Sequence, residues 1–359
     1  MITNYQNEVI KRKYEKYLKE ANGLAESSIR IALSALSELD EFCKGKDYGC
    51  FISTEQAIAF KEWLRGKTKS LTGYTSKCKQ VQKFFRWLHQ QKGFHNKITV
   101  EVIDYLNLSK KDKALARCGK IKNIPTLAYV KKLISTIPPD TEVNKRDRAL
   151  IAFTCLTGAR ESALVSLPIM AVNIEKMFVE QNPLDGVKTK FTKHITSKIF
   201  NFDEDLVKCV KEWYQVLQTK GFKPTDPFFP QSKPLKIEGN LSFMPSVEVI
   251  PLFWNNGGII LKIFSSRAKK ANMEYYSPHR YRDLAIRLAL GKARNGGEIK
   301  AISQNFGHEY VSTTLSSYAN YQQDQLIQKL SEIDNRKEIK GEDSETLRKI
   351  KQLISGEII

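Results

Sequence analysis

One segment limits what this chain can become. Leu108 to Ile124, LSKKDKALARCGKIKNI, has few large apolar side chains and carries Lys110, Lys111, Lys113, Arg117, Lys120 and Lys122. It offers little surface to a hydrophobic core, whereas apolar periodicity is strong on both sides of it. The 359 residues therefore read as two domains joined by a basic linker at 108–125, with Pro125 opening the second. The expected organisation is a domain over 1–107, the linker, a domain over 126–330 and a tail over 331–359. A chain of this size can bury full cores without disulfides or metals.

The first domain reads as helical. From Ala25 to Cys43, Ile29, Ala32, Leu33, Leu36 and Leu39 recur at helical spacing. Ser53-Thr54-Glu55-Gln56 resembles a capping box opening a helix from Thr54 to Arg65. A third helix fits Leu71 to Gln91, with Val81, Phe84, Phe85, Trp87 and Leu88 on its buried side and Lys77, Lys79, Lys83 and Arg86 as candidate phosphate contacts. In the second domain, helices fit Thr126 to Ser135, Arg146 to Leu156, Glu204 to Gln218, Gly258 to Ala271 and Arg280 to Leu290. Between Val172 and Phe202 the period shifts toward strands, with a turn at Pro183 to Gly186 and a hairpin or short antiparallel sheet over Val187 to Phe202. Residues 222–256 are rich in proline and irregular. The fold class is mainly α with a small antiparallel β-sheet.

Charge narrows the function. Lys and Arg number 58 against 39 Asp and Glu, a net +19. The excess is +11 over residues 1–126 and +9 over 127–330, while the last 29 residues are near neutral. Two basic domains suggest that both touch the same polyanion. Cys43, Cys50, Cys78, Cys118, Cys155 and Cys209 form no C-x-x-C pair, which suits a reducing compartment. The first residues lack the apolar core of a secretory signal, and no run of 18 apolar residues exists, so neither secretion nor a membrane span is expected.

Four polar segments sit among apolar neighbours. Thr157-Gly158-Ala159-Arg160 follows the apolar helix, and Gly158 permits a tight turn that holds Arg160 on a packed element. In Ser277-Pro278-His279-Arg280-Tyr281-Arg282, Pro278 suits a helix start, and His279 and Arg282 lie three apart. An imidazole beside a guanidinium is well suited to hold a phosphate. Gln304-Asn305-Phe306-Gly307-His308 and Ser312 to Tyr321 complete the set, with Tyr318 ten residues after His308.

The order of these elements resembles the tyrosine recombinases, also called the phage integrase family: an arginine, a basic hairpin, H-x-x-R, then G-H, then the tyrosine. The resemblance covers 127–330, and the helical first domain is similar to that family's core-binding domain. Thr189-Lys190-Phe191-Thr192-Lys193, Ser277-Pro278-His279-x-x-Arg282 and Ser303 to Glu309 are similar to segments in integrases of proteobacterial mobile elements. The resemblance implies a core-binding domain and an α+β catalytic domain forming a C-shaped clamp on DNA. It implies a site-specific recombinase that cuts and rejoins strands through a 3′-phosphotyrosyl intermediate, integrating or excising a mobile genetic element.

On that resemblance, Tyr318 is the nucleophile, Arg160 and Arg282 clamp the non-bridging oxygens, and His308 adds a hydrogen bond. His279 helps take the phenolic proton or holds the phosphate while another group does so, and a hairpin lysine protonates the leaving 5′-oxygen. Lys190, with Lys193 behind it, fits the family spacing better than Lys188. No metal, nucleotide or other cofactor is implied. Lys120 and Lys122 join the expected DNA contacts. The implied partners are double-stranded DNA attachment sites, three further copies in a synaptic homotetramer, and accessory directionality or bending proteins, in the bacterial cytoplasm.

Two features depart from the pattern. Ala163 stands where the family usually has an acidic residue, with Glu161 nearer Arg160, and Tyr321 is a second tyrosine beside Tyr318. The competing readings are a type IB topoisomerase-like enzyme and a catalytically silent DNA-binding regulator. A metal-dependent nuclease is disfavoured, since no clustered Asp/Glu set is found. Leu347, Ile350, Leu353 and Ile354 suggest a tail helix that docks on a neighbouring protomer.

Overall fold

The apolar spacing of the first domain becomes a set of helices whose ends are fixed by short polar side chains. The computed structural model describes residues 4–51, 53–117, 123–237, 240–244, 247–312, 314 and 331. The chain divides into two compact units, Met1–Lys122 and Asn123–Ile359.

In the first unit, α1 (Tyr5–Lys16) starts where the Asn4 side chain accepts from the Gln6 and Asn7 amides, and runs on into a π-helical turn over Tyr17–Ala21. Then come α2 (Glu26–Cys43), α3 (Thr54–Lys67), α4 (Leu71–His89) and α5 (Val100–Tyr105). The capping box at Ser53 and Gln56 is formed in full. Leu36, Leu39, Phe60, Phe84 and Phe85 meet in a fully buried core, with Phe85 stacked on Phe51 at 4.8 Å between ring centres.

Two expectations change here. The segment read as a linker contains α6 (Lys110–Arg117), which packs against α4. Ser109 starts it: its hydroxyl accepts from the Asp112 amide at 3.0 Å and donates to the Asp112 carboxylate at 2.7 Å. A polar segment thus gains helix structure from capping rather than from apolar burial. Lys77 also leaves the cationic stripe. Residues two apart on a helix face different ways, and Lys77 is ion-paired with Glu38 of α2. Lys79, Lys83 and Arg86 share an exposed face, with Arg86 3.6 Å from Asp104. Lys120 and Lys122 lie outside the described residues, as does the proposed tail helix.

The second unit is built on α8 (Glu142–Thr157), which follows α7 (Leu127–Ser135) and is buried from Ala149 to Thr157. After it come α9 (Glu161–Leu164) and a three-stranded antiparallel sheet of β1 (Val172–Asn173), β2 (Phe178–Gln181) and β3 (Ile195–Lys198). Val179 pairs with Val172 on one side and Ser197 on the other. The hairpin is therefore β2 with β3, and residues 187–194 are the loop between them rather than a strand. The loop cannot continue the ladder because Phe191 and Thr192 have left-handed backbones, with φ of 61° and 53°.

Next, α10 (Glu204–Thr219) packs on α8, and the Trp213 indole donates to the Phe228 carbonyl at 2.7 Å. The proline-rich excursion is two small antiparallel pairs. One joins β4 (Gln231–Ser232) to β7 (Val249–Ile250), and inside it β5 (Leu235–Ile237) pairs with β6 (Asn240–Met244). Its base is held by buried Arg146, which donates to the Pro230 carbonyl and to Ser232 while pairing with Asp147 at 2.7 Å. Arg267 of α11 (Gly258–Lys270) closes on the same carboxylate. The described chain ends with α12 (Pro278–Lys292), α13 (Gly296–Asn305) and the turn after them. Among the described residues no helix is long and apolar enough to cross a membrane.

Candidate active site

Three chain segments meet at one corner of the second unit. The first is the end of α8. Gly158 takes the left-handed conformation, φ 61°, and stops the helix. Close packing demands glycine as much as the backbone does, because a Cβ there would lie 2.5 Å from the Phe306 ring. Two residues on, Arg160 opens α9 with an extended backbone and a partly exposed side chain.

The second segment is the start of α12. Pro278 occupies its first turn, which places His279 at the surface and Arg282 inside. Arg282 is 3% exposed, and the core is not what satisfies it. One terminal nitrogen donates to the Gly158 carbonyl at 2.5 Å, and the other donates to the Phe306 carbonyl. The guanidinium also lies 5.4 Å from the centre of the Phe306 ring. Arg282 therefore ties the end of α8 to the end of α13.

The third segment is the turn after α13. Gly307, φ 63°, reverses the chain so that His308 points back at Arg282, and a Cβ on Gly307 would strike Ile195 of β3 at 2.4 Å. The strand is stitched to the same turn, since the Ser197 hydroxyl donates to the Asn305 carbonyl at 2.8 Å and the Lys198 amide to the Asn305 side chain at 2.6 Å.

His308 records the electrostatics of the corner. Its Nε2 lies 3.3 Å from Arg282 Nη2, and its Nδ1 lies 2.8 Å from the Thr314 hydroxyl. A guanidinium can only donate, so Nε2 is the acceptor and Nδ1 carries the proton toward Thr314. Thr314 in turn donates to Ser303 at 3.0 Å, and both are buried. Burial first, then the positive charges of Arg282, Arg160 and His279, push the His308 pKa down to about 4. Arg160, His279, Arg282 and His308 are thus brought within one electrostatic neighbourhood. Two permanent cations in one neighbourhood can hold a polyatomic anion and neutralise charge that builds on it.

Lys190 is placed differently. It is exposed on the 187–194 loop, its ammonium 4.9 Å from the centre of the Phe191 ring. The loop is pinned toward the His308 turn by the Lys193–Glu309 ion pair at 3.2 Å, and is closed by the Thr189 hydroxyl donating to the Lys193 carbonyl at 2.6 Å. Lys188 is exposed on the same loop, and its amide donates to the Ser166 hydroxyl at 2.8 Å. Tyr318 and Tyr321 lie outside the described residues. Ala163 is fully packed, 2% exposed. Glu161 is half-buried, and burial raises its pKa.

Sequence reasoning missed Asp283, Thr314 and Ser303. Asp283 is 1% exposed beneath His279, one helical turn on. Its signal was present as an i,i+4 His–Asp pair beginning at the helix start.

A helical unit followed by a mixed unit with this arginine–histidine corner defines a class, and comparison with known proteins agrees. Residues 126–325 match the Phage integrase family, and the chain belongs to it. It is a site-specific recombinase of the tyrosine type, a DNA strand transferase. Among particular proteins, it is 23% identical over 295 residues to tyrosine recombinase XerD of Vibrio cholerae serotype O1, covering 81% of this chain and 85% of that one. In fold it is similar to the Tn1549 transposon integrase in complex with transposon right end DNA, with TM-score 0.59 and 16% identity over 90% of this chain and 99% of the other. A dimer of lambda integrase bound to a core site gives TM-score 0.58 and 14% identity over 93% and 98% of the two chains.

Proposed function

We propose that this chain integrates or excises a mobile genetic element, with the Arg160–His279–Arg282–His308 corner as its phosphate site and Tyr318 as its nucleophile. The observation that supports the reading is the seating of buried Arg282, held by the Gly158 and Phe306 carbonyls with His308 Nε2 3.3 Å from its guanidinium. The four positions come from three segments, the first of them more than a hundred residues before the other two.

The chemistry follows from the groups. The Tyr318 oxygen attacks phosphorus, the P–O5′ bond breaks, and the strand's 3′-phosphate is joined to the protein. His279 takes up the phenolic proton. A phenol of pKa ~10 needs such help near neutrality. Arg160 and Arg282 hold the two non-bridging oxygens as charge grows on them, and His308 orients Arg282 through its Nε2. Lys190 gives a proton to the departing 5′-oxygen. The ester energy is kept in the phosphotyrosyl link, so the free 5′-hydroxyl of a second strand reverses the step. The cations supply the charge neutralisation that a metal supplies in nucleases.

Four copies pair two attachment sites, and directionality or bending proteins set the outcome, in the bacterial cytoplasm. Lys79, Lys83 and Arg86, with Lys120 and Lys122, contact phosphates, so affinity falls steeply with salt. The decisive experiment is a nicked duplex bearing the attachment site, incubated in EDTA. Wild type forms a covalent adduct that survives boiling in detergent, and Tyr318→Phe does not. An adduct lost only in Tyr321→Phe moves the nucleophile, and a reaction that stops in EDTA overturns the metal-free mechanism.

A further inference from the structure

We propose that Asp283 is a positioning residue that fixes the tautomer and orientation of the His279 imidazole. The proposal rests on the phosphate site described above, and its test separates the two.

Asp283 is a carboxylate with 2% of its side chain exposed, set among cations. One oxygen is accounted for: Oδ2 accepts from Arg280 Nη1 at 2.8 Å. The other, Oδ1, is buried with no hydrogen-bond partner among the described residues. A buried carboxylate oxygen left without a donor costs stability comparable to a lost charged hydrogen bond. The group facing it is His279 Nε2 at 3.8 Å, one helical turn back on α12. That distance is longer than a hydrogen bond, and a small ring rotation closes it, as happens at sites whose contacts tighten only when substrate arrives.

His279 is the exposed partner, 55% of its side chain open to solvent against 2% for the carboxylate. The fixed group is therefore Asp283, and the movable group is the imidazole. A carboxylate on Nε2 keeps the proton on that nitrogen and leaves Nδ1 as the outward-facing base, the orienting logic of a buried aspartate behind a catalytic histidine. The arrangement also addresses the departure at Ala163, where the position that is acidic in the resemblance is a buried methyl group. Asp283 on α12 brings a negative charge to His279, and Arg280 secures the carboxylate from its other side.

Two measurements on the full-length protein test this. In single-turnover cleavage of the nicked duplex, Asp283→Asn slows adduct formation by about 10- to 100-fold while duplex affinity stays within about twofold. Combined with His279→Gln, it slows the reaction no further than His279→Gln alone, because the two act as one unit. Arg280→Ala, which removes the other contact of the carboxylate, has a smaller effect than Asp283→Asn. Independent, multiplying losses in the double variant overturn the proposal, as does an affinity loss that matches the rate loss. Should Asp283→Asn fail to fold, ¹⁵N spectra of the wild-type protein decide. His279, assigned by the signal lost in His279→Gln, is expected as the Nε2–H tautomer, and the Nδ1–H tautomer overturns the proposal. If wild type forms no adduct at all, the phosphate-site reading fails, while the tautomer still reports on the His279–Asp283 contact.

Discussion

The corner around Arg282 and the 187–194 loop supply the same kind of charge in opposite ways. Arg282 is buried, bonded to two backbone carbonyls and stacked on Phe306. Lys190 is exposed, on a loop with two consecutive left-handed residues, beside an aromatic ring that is itself 75% exposed. Groups that neutralise a growing charge work best when fixed beforehand, since no reorganisation is then needed. A group that hands over a proton must reach its acceptor and withdraw. With the roles proposed above, the difference teaches that preorganisation is spent on the clamp and freedom is left to the acid.

The sharpest break in that contrast is Arg282→Lys. It keeps the charge but loses the fork, so adduct formation should fall by about 10²- to 10³-fold in a single-turnover assay. Lys190→Ala should cost about 10²-fold in cleavage and leave the melting temperature within about a degree or two. A 5′-thio leaving group, which needs no acid, should restore its rate. If Lys188→Ala shows this pattern instead, the acid moves two positions along the same loop. Glycines sharpen the comparison on the stability axis. Gly158→Ala should destabilise by about 2–3 kcal/mol in chemical denaturation, from both its φ and the Phe306 contact. Gly186→Ala, equally left-handed at φ 83° but facing open space, should cost about 1 kcal/mol.

The last effect concerns pH. His308 titrates near 4 in the folded protein, below the ordinary 6.5, so between those values the unfolded chain binds a proton that the folded one refuses. Stability is therefore full above pH 6.5 and declines as the pH falls toward 4. His308→Gln should remove that part of the slope, and an unchanged slope would place the electrostatic pressure elsewhere.

Much of this was legible in the sequence, and the reasons are specific. Helices α2, α3 and α4 could be read because apolar spacing and caps pointed the same way. Arg160, His279, Arg282 and His308 could be picked out because glycine and proline punctuate the chain beside each of them. The helix at Lys110–Arg117 could not be read from periodicity, since only the capping of Ser109 by Asp112 marks its start. Residues 187–202 read as a hairpin or short sheet because the period shifts toward strands and a turn signal precedes them, and neither says anything about a positive φ at Phe191. Lys77 was grouped with its neighbours by sequence proximity, and its claim by Glu38 depends on how α2 crosses α4. The nested hairpins of 231–250 hang on Arg146, whose partners at Pro230 and Ser232 are more than eighty residues away.

Arg282 reaches across 124 residues to the Gly158 carbonyl and 24 residues forward to Phe306. A nascent chain that has not yet produced α13 has nowhere to seat that guanidinium, and a chain that frays at either end gives it up. The seating of that guanidinium thus waits until the chain has been made as far as Phe306.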